Sequence, residues 1–361
     1  MLILTEAQVR RCLSIDNCIA ANRVALGSLR RNTIDKDTSP TALVPSRIGL
    51  PRHPNQQLQN TSSPDMTLFK PAAYYPQEES DVLMGLKVVS TRAKNGSIGK
   101  PTVPATIIML DAESGDVNAM LAGTYLTAAR TAAGSAIATK LCLDCRGRDR
   151  GNVTNTGNHL VVFGAGLQAE MHIRCIHHIL PGQIGKVTII NRTRKRAQDL
   201  QELLLADPDT SQLDLHIIVL EDKDALKEAV ETADIIVTAT NTIQPLFDWT
   251  WVNTNCHING VGSYLPSSEE VDCNFVRDHC ITIVDTIEAL QVGDLRYLDE
   301  SSDRFAGLLG DVLNDDATIG SKTRSKCTFF KSCGTAIQDI LTSNEVVMTA
   351  TRLGIGTRIE M

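Results

Sequence analysis

A glycine-rich turn between a strand and a helix is the feature of this 361-residue chain that most directly indicates chemistry. The apolar run 160–163 leads into Gly164-Ala165-Gly166-Leu167-Gln168-Ala169, a G-x-G-x-x-A pattern, and a helical pattern follows. The first glycine permits a tight turn, and the second lets a pyrophosphate approach the main chain. The helix N-terminus offers N–H groups and a positive dipole to phosphates. We therefore predict that residues 164–168 bind a dinucleotide.

The end of the next strand predicts which dinucleotide is bound. The β-like run 186–190 is followed by Asn191-Arg192-Thr193-Arg194 and two further cations. NAD sites usually place Asp or Glu at this strand end, where the carboxylate accepts hydrogen bonds from ribose hydroxyls. Asn191 is neutral, and Arg192 and Arg194 can pair with a 2′-phosphate. The sequence predicts NADP(H) rather than NAD(H); the simpler alternative is a solvated basic start of a helix.

Three cations outside this region lie in apolar or small-residue settings, namely Arg47, Lys87 and Arg130. An arginine suits bidentate binding of a carboxylate. A desolvated lysine has a lowered pKa, which makes Lys87 a candidate proton donor. Taken singly, each has a simpler explanation, a side chain that extends from a strand edge into solvent.

Composition predicts a globular protein with room for two domains. Hydrophobic residues make up 42% and charged residues 21% of the chain. The net charge of −7 disfavours a nucleic-acid partner. The sequence contains no apolar run of about 18 residues, so no membrane span is predicted. Ten cysteines scattered through apolar segments indicate reduced thiols and a cytoplasmic location.

No metal site is predicted. Cys142 and Cys145 form one C-x-x-C pair without a second pair at zinc-ribbon spacing. His172, His177 and His178 follow the glycine turn without acidic or thiol partners at helical spacing, so we expect them to be packing or surface residues.

The order of the predicted elements indicates a two-part α/β protein. We predict a helix over 5–30, a strand-like piece over 40–50, a surface loop over 51–65, short strands in a meander to 110, and a helix over 126–141. From 160 to 285, strands alternate with helices, which is typical of a Rossmann doubly wound parallel sheet. A strand at 326–330 and a helix at 334–353 are expected to return to the first part. The predicted domains are 1–140 with 321–361, for substrate binding and dimerisation in an α+β fold, and 141–320, for NADP binding.

Several motifs in one order resemble the ornithine cyclodeaminase/μ-crystallin family, from about residue 40 to the C-terminus. They are Pro45-Ser46-Arg47, Gly85-Leu86-Lys87-Val88-Val89-Ser90, the run 126–133 around Arg130, the glycine turn, the run 257–263, Val284-Asp285 and the run 330–336. The resemblance implies a homodimer, a dinucleotide cofactor and small imino- or amino-acid substrates. It implies that Arg47 and Arg130 hold the substrate carboxylate and that Lys87 supplies a proton. It also implies cofactor contacts from Thr102, Arg130, Thr131, Thr238, Ala239, Thr240, Val261 and Ser332.

One departure from the family pattern favours one of the family's reactions over the others. Ornithine cyclodeaminases carry an aspartate base in the segment that matches Gly262-Ser263-Tyr264-Leu265-Pro266, and Tyr264 occupies its position. A tyrosine with an ordinary pKa of about 10 is a poor base at neutral pH. The predicted function is therefore an NADPH-dependent reductase of cyclic or acyclic ketimines. The alternatives are a cyclodeaminase-type lyase, a dehydrogenase of N-carboxyalkyl amino acids, and a non-catalytic crystallin-like NADPH-binding protein.

Overall fold

The computed structural model describes residues 1–29, 42–52, 65–76, 82–147, 157–314 and 326–360. The chain divides into two compact units, one of Met1–Thr131 with Gly334–Met361 and one of Ala132–Cys333. From the sequence, these boundaries were expected near residues 140 and 320. Most of the predicted loop 51–65 lies outside the described residues.

The first unit is built on an antiparallel meander, as predicted. Its strands are β1 (Leu2–Leu4), β2 (Ala42–Leu43), β3 (Ile48–Pro51), β4 (Met66–Tyr74), β5 (Leu83–Thr91), β6 (Ala105–Leu110), β7 (Val117–Ala122) and β16 (Thr357–Arg358). Consecutive strands pair in antiparallel fashion from β4 to β7, and β1 joins β7 in parallel. The sheet order is β16-β1-β7-β6-β5-β4-β2, and β3 also pairs with β4.

The N-terminal helix expected over 5–30 is two helices, α1 (Glu6–Cys12) and α2 (Ile15–Gly27). The expectation of one helix was wrong because Ser14 starts a second one: its hydroxyl accepts a hydrogen bond from the Asn17 N–H at 3.1 Å. Helix α3 (Thr124–Gly147) is longer than predicted and contains the first unit boundary. The C-terminal helix α9 (Ala336–Leu353) contacts α2 and strands β4, β5 and β6.

The second unit contains an eight-stranded sheet in which every pair is parallel. The strands are β8 (Asn158–Phe163), β9 (Ile184–Asn191), β10 (Leu215–Val219), β11 (Ile235–Thr238), β12 (His257–Gly260), β13 (Cys280–Val284), β14 (Phe305–Leu308) and β15 (Cys327–Lys331). Their order in the sheet is β10-β9-β8-β11-β12-β15-β13-β14. The strand order therefore reverses between β8 and β11, and such a reversal is where α/β sheets bind ligands. The helices are α4 (Leu167–Ile179), α5 (Arg194–Leu205), α6 (Lys223–Glu231), α7 (Cys273–His279) and α8 (Leu309–Asn314).

Two expectations for this half need correction. Strand β15 does not return to the first unit, because it pairs with β12 and β13 inside the second sheet. All five of its residues are buried, as a central strand covered on both faces requires. The helix expected over 268–278 starts only at Cys273, where Asp272 accepts hydrogen bonds from the Asn274 and Phe275 N–H groups.

Candidate functional site

The glycine turn joins β8 to α4 in a geometry that suits a diphosphate. Gly164 has φ +115°, and a Cβ there would lie 2.6 Å from the Ala239 carbonyl oxygen, so only glycine fits. Gly166 is exposed and has no atom within 4 Å of the position of a Cβ. Among the described residues, no side chain caps the N–H groups at the start of α4, and none forms a hydrogen bond with the buried Oε1 of Gln168. The turn therefore leaves main-chain donors and open space for a dinucleotide.

The basic segment lies at the carboxyl end of β9, beside the turn. Asn191 donates from its side chain to the Thr193 carbonyl at 2.9 Å. Arg192, Thr193 and Arg194 are exposed, and no side chain of the described segments caps the start of α5. Neither arginine forms an ion pair with a described residue, whereas Lys195 pairs with Asp199 at 2.7 Å. Two guanidinium groups and a helix start are thus open to an anion.

The other predicted cofactor residues of this unit lie along the same edge of the sheet. Thr238 is the last residue of β11, and Ala239 and Thr240 follow it. Val261 follows β12, and its N–H donates to the Thr238 carbonyl at 3.0 Å. Ser332 follows β15 and donates from its hydroxyl to the Asp285 carboxylate at 2.9 Å. The structure therefore brings the second unit's predicted residues to the carboxyl ends of adjacent parallel strands.

In the first unit, Lys87 and Arg130 meet at a carboxylate that sequence reasoning missed. Lys87 Nζ lies 2.7 Å from each carboxylate oxygen of Asp339, and Arg130 Nε donates to Asp339 Oδ1 at 2.8 Å. Lys87 is 1% exposed, Arg130 4% and Asp339 0%. Lys87 also donates to the Thr127 hydroxyl at 3.4 Å. Strand β5, helix α3 and helix α9 each contribute one charge to this buried group.

Burial and neighbouring charges perturb both partners of this ion pair. Desolvation, followed by the positive charge of Arg130, lowers the pKa of Lys87 well below its usual 10.5, although Asp339 opposes the shift. Desolvation acts to raise the pKa of Asp339, but Arg130, Lys87 and Lys70 together outweigh it and keep the pKa below its usual 3.8. Asp339 therefore stays ionised while Lys87 becomes able to give up its proton.

Lys70 and Gly334 complete the surroundings of Arg130. Lys70 lies opposite Lys87 in the β4–β5 register, is 6% exposed and donates to the Gly334 carbonyl at 2.6 Å. Gly334 has φ +71°, and a Cβ there would overlap the Arg130 guanidinium. Gln338 accepts a hydrogen bond from Arg130 Nη1 at 3.3 Å. The Arg130 guanidinium is therefore held by hydrogen bonds to Asp339 and Gln338 and packs directly against Gly334.

The other predicted site residues of the first unit are Arg47, Thr102 and Thr131, and their described contacts do not involve Asp339. Arg47 is partly exposed in the segment between β2 and β3, and the described ion pairs of Asp339 do not include it. Thr102 is exposed, and its carbonyl accepts from the Arg92 N–H at 2.8 Å. Thr131 is buried and donates to the Thr127 carbonyl at 2.7 Å. Roles for these three residues stay predictions.

A signal for the missed residues was present in the sequence. Lys70 is the only charged residue in the apolar strand 66–74, and Asp339 stands in the apolar first turns of α9. A buried charge is costly unless it is paired, so two isolated charges in core segments predict an ion pair. Spacing alone could not pair them with Lys87 and Arg130, because these residues are up to 252 positions apart.

His172 is a packing residue, as expected. Its Nδ1 lies 2.7 Å from the Gln168 carbonyl and its Nε2 lies 3.0 Å from the Ser135 hydroxyl. Burial lowers its pKa to about 4, so the ring is neutral at neutral pH. It joins α3 to α4 within the second unit.

In the part of the chain that the structure covers, no helix has the length and apolar character needed to cross a membrane. All ten cysteines lie in the described part of the chain, and none of them is in a disulfide.

Comparison with known proteins shows the family to which this chain belongs. The model of the ornithine cyclodeaminase/mu-crystallin family matches residues 68–351. An uncharacterized cyclodeaminase of Dictyostelium discoideum is 30% identical, with all of both chains aligned. The ketimine reductase mu-crystallin of Mus musculus is 32% identical over 72% of this chain and 74% of its own.

A solved structure shows the same fold over the whole chain. The Δ1-pyrroline-2-carboxylate reductase of Thermococcus litoralis, in complex with NADH and L-proline, superposes with a TM-score of 0.78 at 24% identity. The alignment covers 99% of this chain and 100% of that one. The two-unit architecture described above is therefore that of a known fold.

Proposed function

Because this chain belongs to the ornithine cyclodeaminase/mu-crystallin family, whose members are NAD(P)-dependent oxidoreductases, we propose that it reduces small α-imino acids with NADPH. The observation that carries the proposal is the buried group of Lys87, Arg130 and Asp339. It combines a lysine of lowered pKa, which can protonate an imine nitrogen, with a fixed guanidinium, which can bind the substrate carboxylate. The mouse relative, a ketimine reductase, supports the same class of reaction.

Each residue has a separate task in this proposal. The dinucleotide supplies the hydride. Arg130, held by Asp339 and Gln338, binds the substrate carboxylate together with Arg47. Lys87 protonates the imine nitrogen, which makes the adjacent carbon electrophilic. Asp339 keeps Lys87 and Arg130 in place by neutralising part of their charge.

Cyclodeamination is the second candidate, because the Dictyostelium relative carries that name. It would release ammonia from a diamino acid without net consumption of the dinucleotide. Tyr264, half-buried after β12, stands where cyclodeaminases carry the aspartate base. We favour reduction because a neutral phenol hydroxyl is a much poorer general base than a carboxylate.

A spectrophotometric assay tests the proposal. Purified protein is mixed with NADPH and a panel of cyclic and acyclic ketimine carboxylates, and absorbance at the nicotinamide band is followed. We expect oxidation that depends on both components and produces the corresponding amino acid. Absence of oxidation across the panel, under conditions in which a known ketimine reductase works, contradicts it. Ammonia release from ornithine without oxidation identifies the lyase instead.

The cofactor preference rests on Arg192 and Arg194. We propose that they bind the 2′-phosphate, supported by their exposure and by the absence of a described ion pair. The double variant R192Q/R194Q should weaken NADPH binding by about 10- to 100-fold and leave NADH binding nearly unchanged, since charge-assisted bonds contribute about 1.5–3 kcal/mol. Fluorescence titration with each dinucleotide measures this. The matched control is R196Q, an exposed arginine of the same cluster. Equal loss for NADPH and NADH would refute the assignment.

We also propose a homodimer formed through the first unit. The supporting observation is a set of exposed apolar side chains on β2 and β3: Leu43 is 52% exposed, Ile48 61% and Leu50 53%. Sedimentation equilibrium should give twice the mass of one chain, and the variant I48D should shift the mass toward that of the monomer. A monomeric wild-type protein would contradict the proposal.

A further inference from the structure

A buried carboxylate of the second unit lies behind the edge that holds the predicted cofactor residues. Glu270, in the segment between β12 and α7, is 0% exposed. Its Oε1 accepts from the Thr240 N–H at 2.6 Å and from the Thr240 hydroxyl at 2.7 Å. Its Oε2 accepts from the Thr238 hydroxyl at 2.8 Å and from the Gly262 and Ser263 N–H groups at 2.7 and 3.2 Å. One side chain thus joins the loop after β11 to the loop after β12.

These two loops are packed so closely that their geometry depends on the link. A Cβ at Gly262 would lie 2.6 Å from Thr240 N and 2.7 Å from Glu270 Oε1. On the other side, the Ala239 carbonyl lies against Gly164, where a Cβ would come within 2.6 Å of its oxygen. The position of Ala239 therefore connects the loop that Glu270 holds with the glycine turn that is predicted to bind the diphosphate.

Glu270 is itself held from behind. Asp294 Oδ1 accepts from the Glu270 N–H at 2.8 Å, and Asp294 Oδ2 lies 2.8 Å from the buried Lys331 Nζ. Lys331 ends β15, the strand next to β12. A chain of contacts thus leads from Lys331 through Asp294 to Glu270, and the Glu270 carboxylate makes the contacts to the two loops.

We propose that Glu270 is a positioning residue for the dinucleotide: by joining the loops after β11 and β12 it fixes the edge of the sheet on which the cofactor lies. It acts through Thr238, Thr240, Gly262 and Ser263. This role depends on dinucleotide binding, which family membership supplies, and it does not depend on which imine is reduced.

Substitution by glutamine tests the role at constant size. A glutamine amide replaces one acceptor by an NH₂ group, and each carboxylate oxygen now faces at least one backbone N–H, so a donor meets a donor whichever way the amide turns. E270Q should raise the Kd for NADPH and NADH alike, by at least about tenfold. In the dinucleotide-free protein, the amides of Thr240 and Gly262 should exchange with deuterium faster than in wild type.

The matched control is D272A, which removes a carboxylate two residues away. Asp272 caps α7 by accepting hydrogen bonds from the Asn274 and Phe275 N–H groups, and its described hydrogen bonds do not reach either loop. It should lower the melting temperature while leaving the Kd and the exchange at Thr240 and Gly262 as in wild type. If E270Q is insoluble, E270D keeps the charge on a shorter side chain that cannot reach both loops, and the same two measurements apply.

Two results would overturn the inference. One is a folded E270Q protein with unchanged Kd for both dinucleotides. The other is a loss of affinity in D272A equal to that in E270Q, which would indicate general loosening of the segment. Because binding is measured without an imine substrate, failure of the reductase assay leaves this test intact.

Discussion

Replacing Lys87 by methionine should lower the rate of imine reduction by about 10²- to 10⁴-fold, the usual contribution of a positioned proton donor. Dinucleotide binding should stay close to wild type, because Lys87 belongs to the first unit and the glycine turn to the second. Steady-state rates and fluorescence titration of K87M measure the two effects. The variant K87A in the presence of small primary amines is the control, and partial recovery of rate shows that the lost function was proton donation. Activity within about tenfold of wild type in K87M would exclude Lys87 as the donor.

The pH dependence of the reduction rate should also report the protonation of Lys87. Lys87 donates only when protonated, so the rate of reduction falls as the pH rises through its pKa. Burial and Arg130 lower that pKa well below 10.5, so the decline should occur well below the pH at which an ordinary lysine loses its proton. The reverse oxidation of the amino acid needs neutral Lys87 and should rise over the same pH interval.

Replacing Gly334 by alanine should reduce the reduction rate by about 10²-fold, which is the cost of displacing a substrate-binding group by about 1 Å. The added Cβ would lie 2.6 Å from Arg130 Cζ, so the guanidinium has to move. That movement disturbs the 2.8 Å contact between Arg130 Nε and Asp339. The loss in kcat/KM for the imino acid should exceed any change in the Kd for NADPH, because Arg130 is only one of several predicted cofactor contacts.

The control for this variant is Gly354→Ala. Gly354 has φ +64°, close to the +71° of Gly334, but no atom lies within 4 Å of its Cβ position. Both substitutions therefore carry the backbone cost of a left-handed residue, about 1 to 2 kcal/mol. Only Gly334→Ala should lose activity. Equal kcat/KM in the two variants would show that Gly334 has no role in positioning Arg130.

The sequence predicted local features better than long-range ones. The glycine turn, the basic segment after β9 and the alternation of strands and helices depend on nearby residues, and each occurs where it was expected. The prediction that β15 returns to the first unit was wrong, because the residues next to a parallel strand in the sequence do not determine which strands it pairs with. Likewise, the meeting of Lys87 and Arg130 at Asp339 requires contacts across 252 and 209 positions.

The break at Ser14 shows a different limit. The apolar stripe of residues 5–30 is compatible with one helix, and the serine hydroxyl decides otherwise by accepting the Asn17 N–H. A single side-chain cap contributes about 1 kcal/mol, which is enough to divide a helix but leaves the apolar periodicity intact. Similarly, Glu270 is one of two adjacent glutamates, and only its five acceptor contacts distinguish it from Glu269.

The measurement that tests the central claim most directly follows deuterium from the cofactor into the product. NADPH carrying deuterium at both C4 positions is incubated with the protein and a cyclic ketimine carboxylate, and the amino acid is analysed by mass spectrometry. Our account predicts one deuterium on the α-carbon for each NADPH oxidised, and loss of this product in K87M. An unlabelled product, or ammonia formed from ornithine while NADPH stays unoxidised, would contradict imine reduction as the function of this protein.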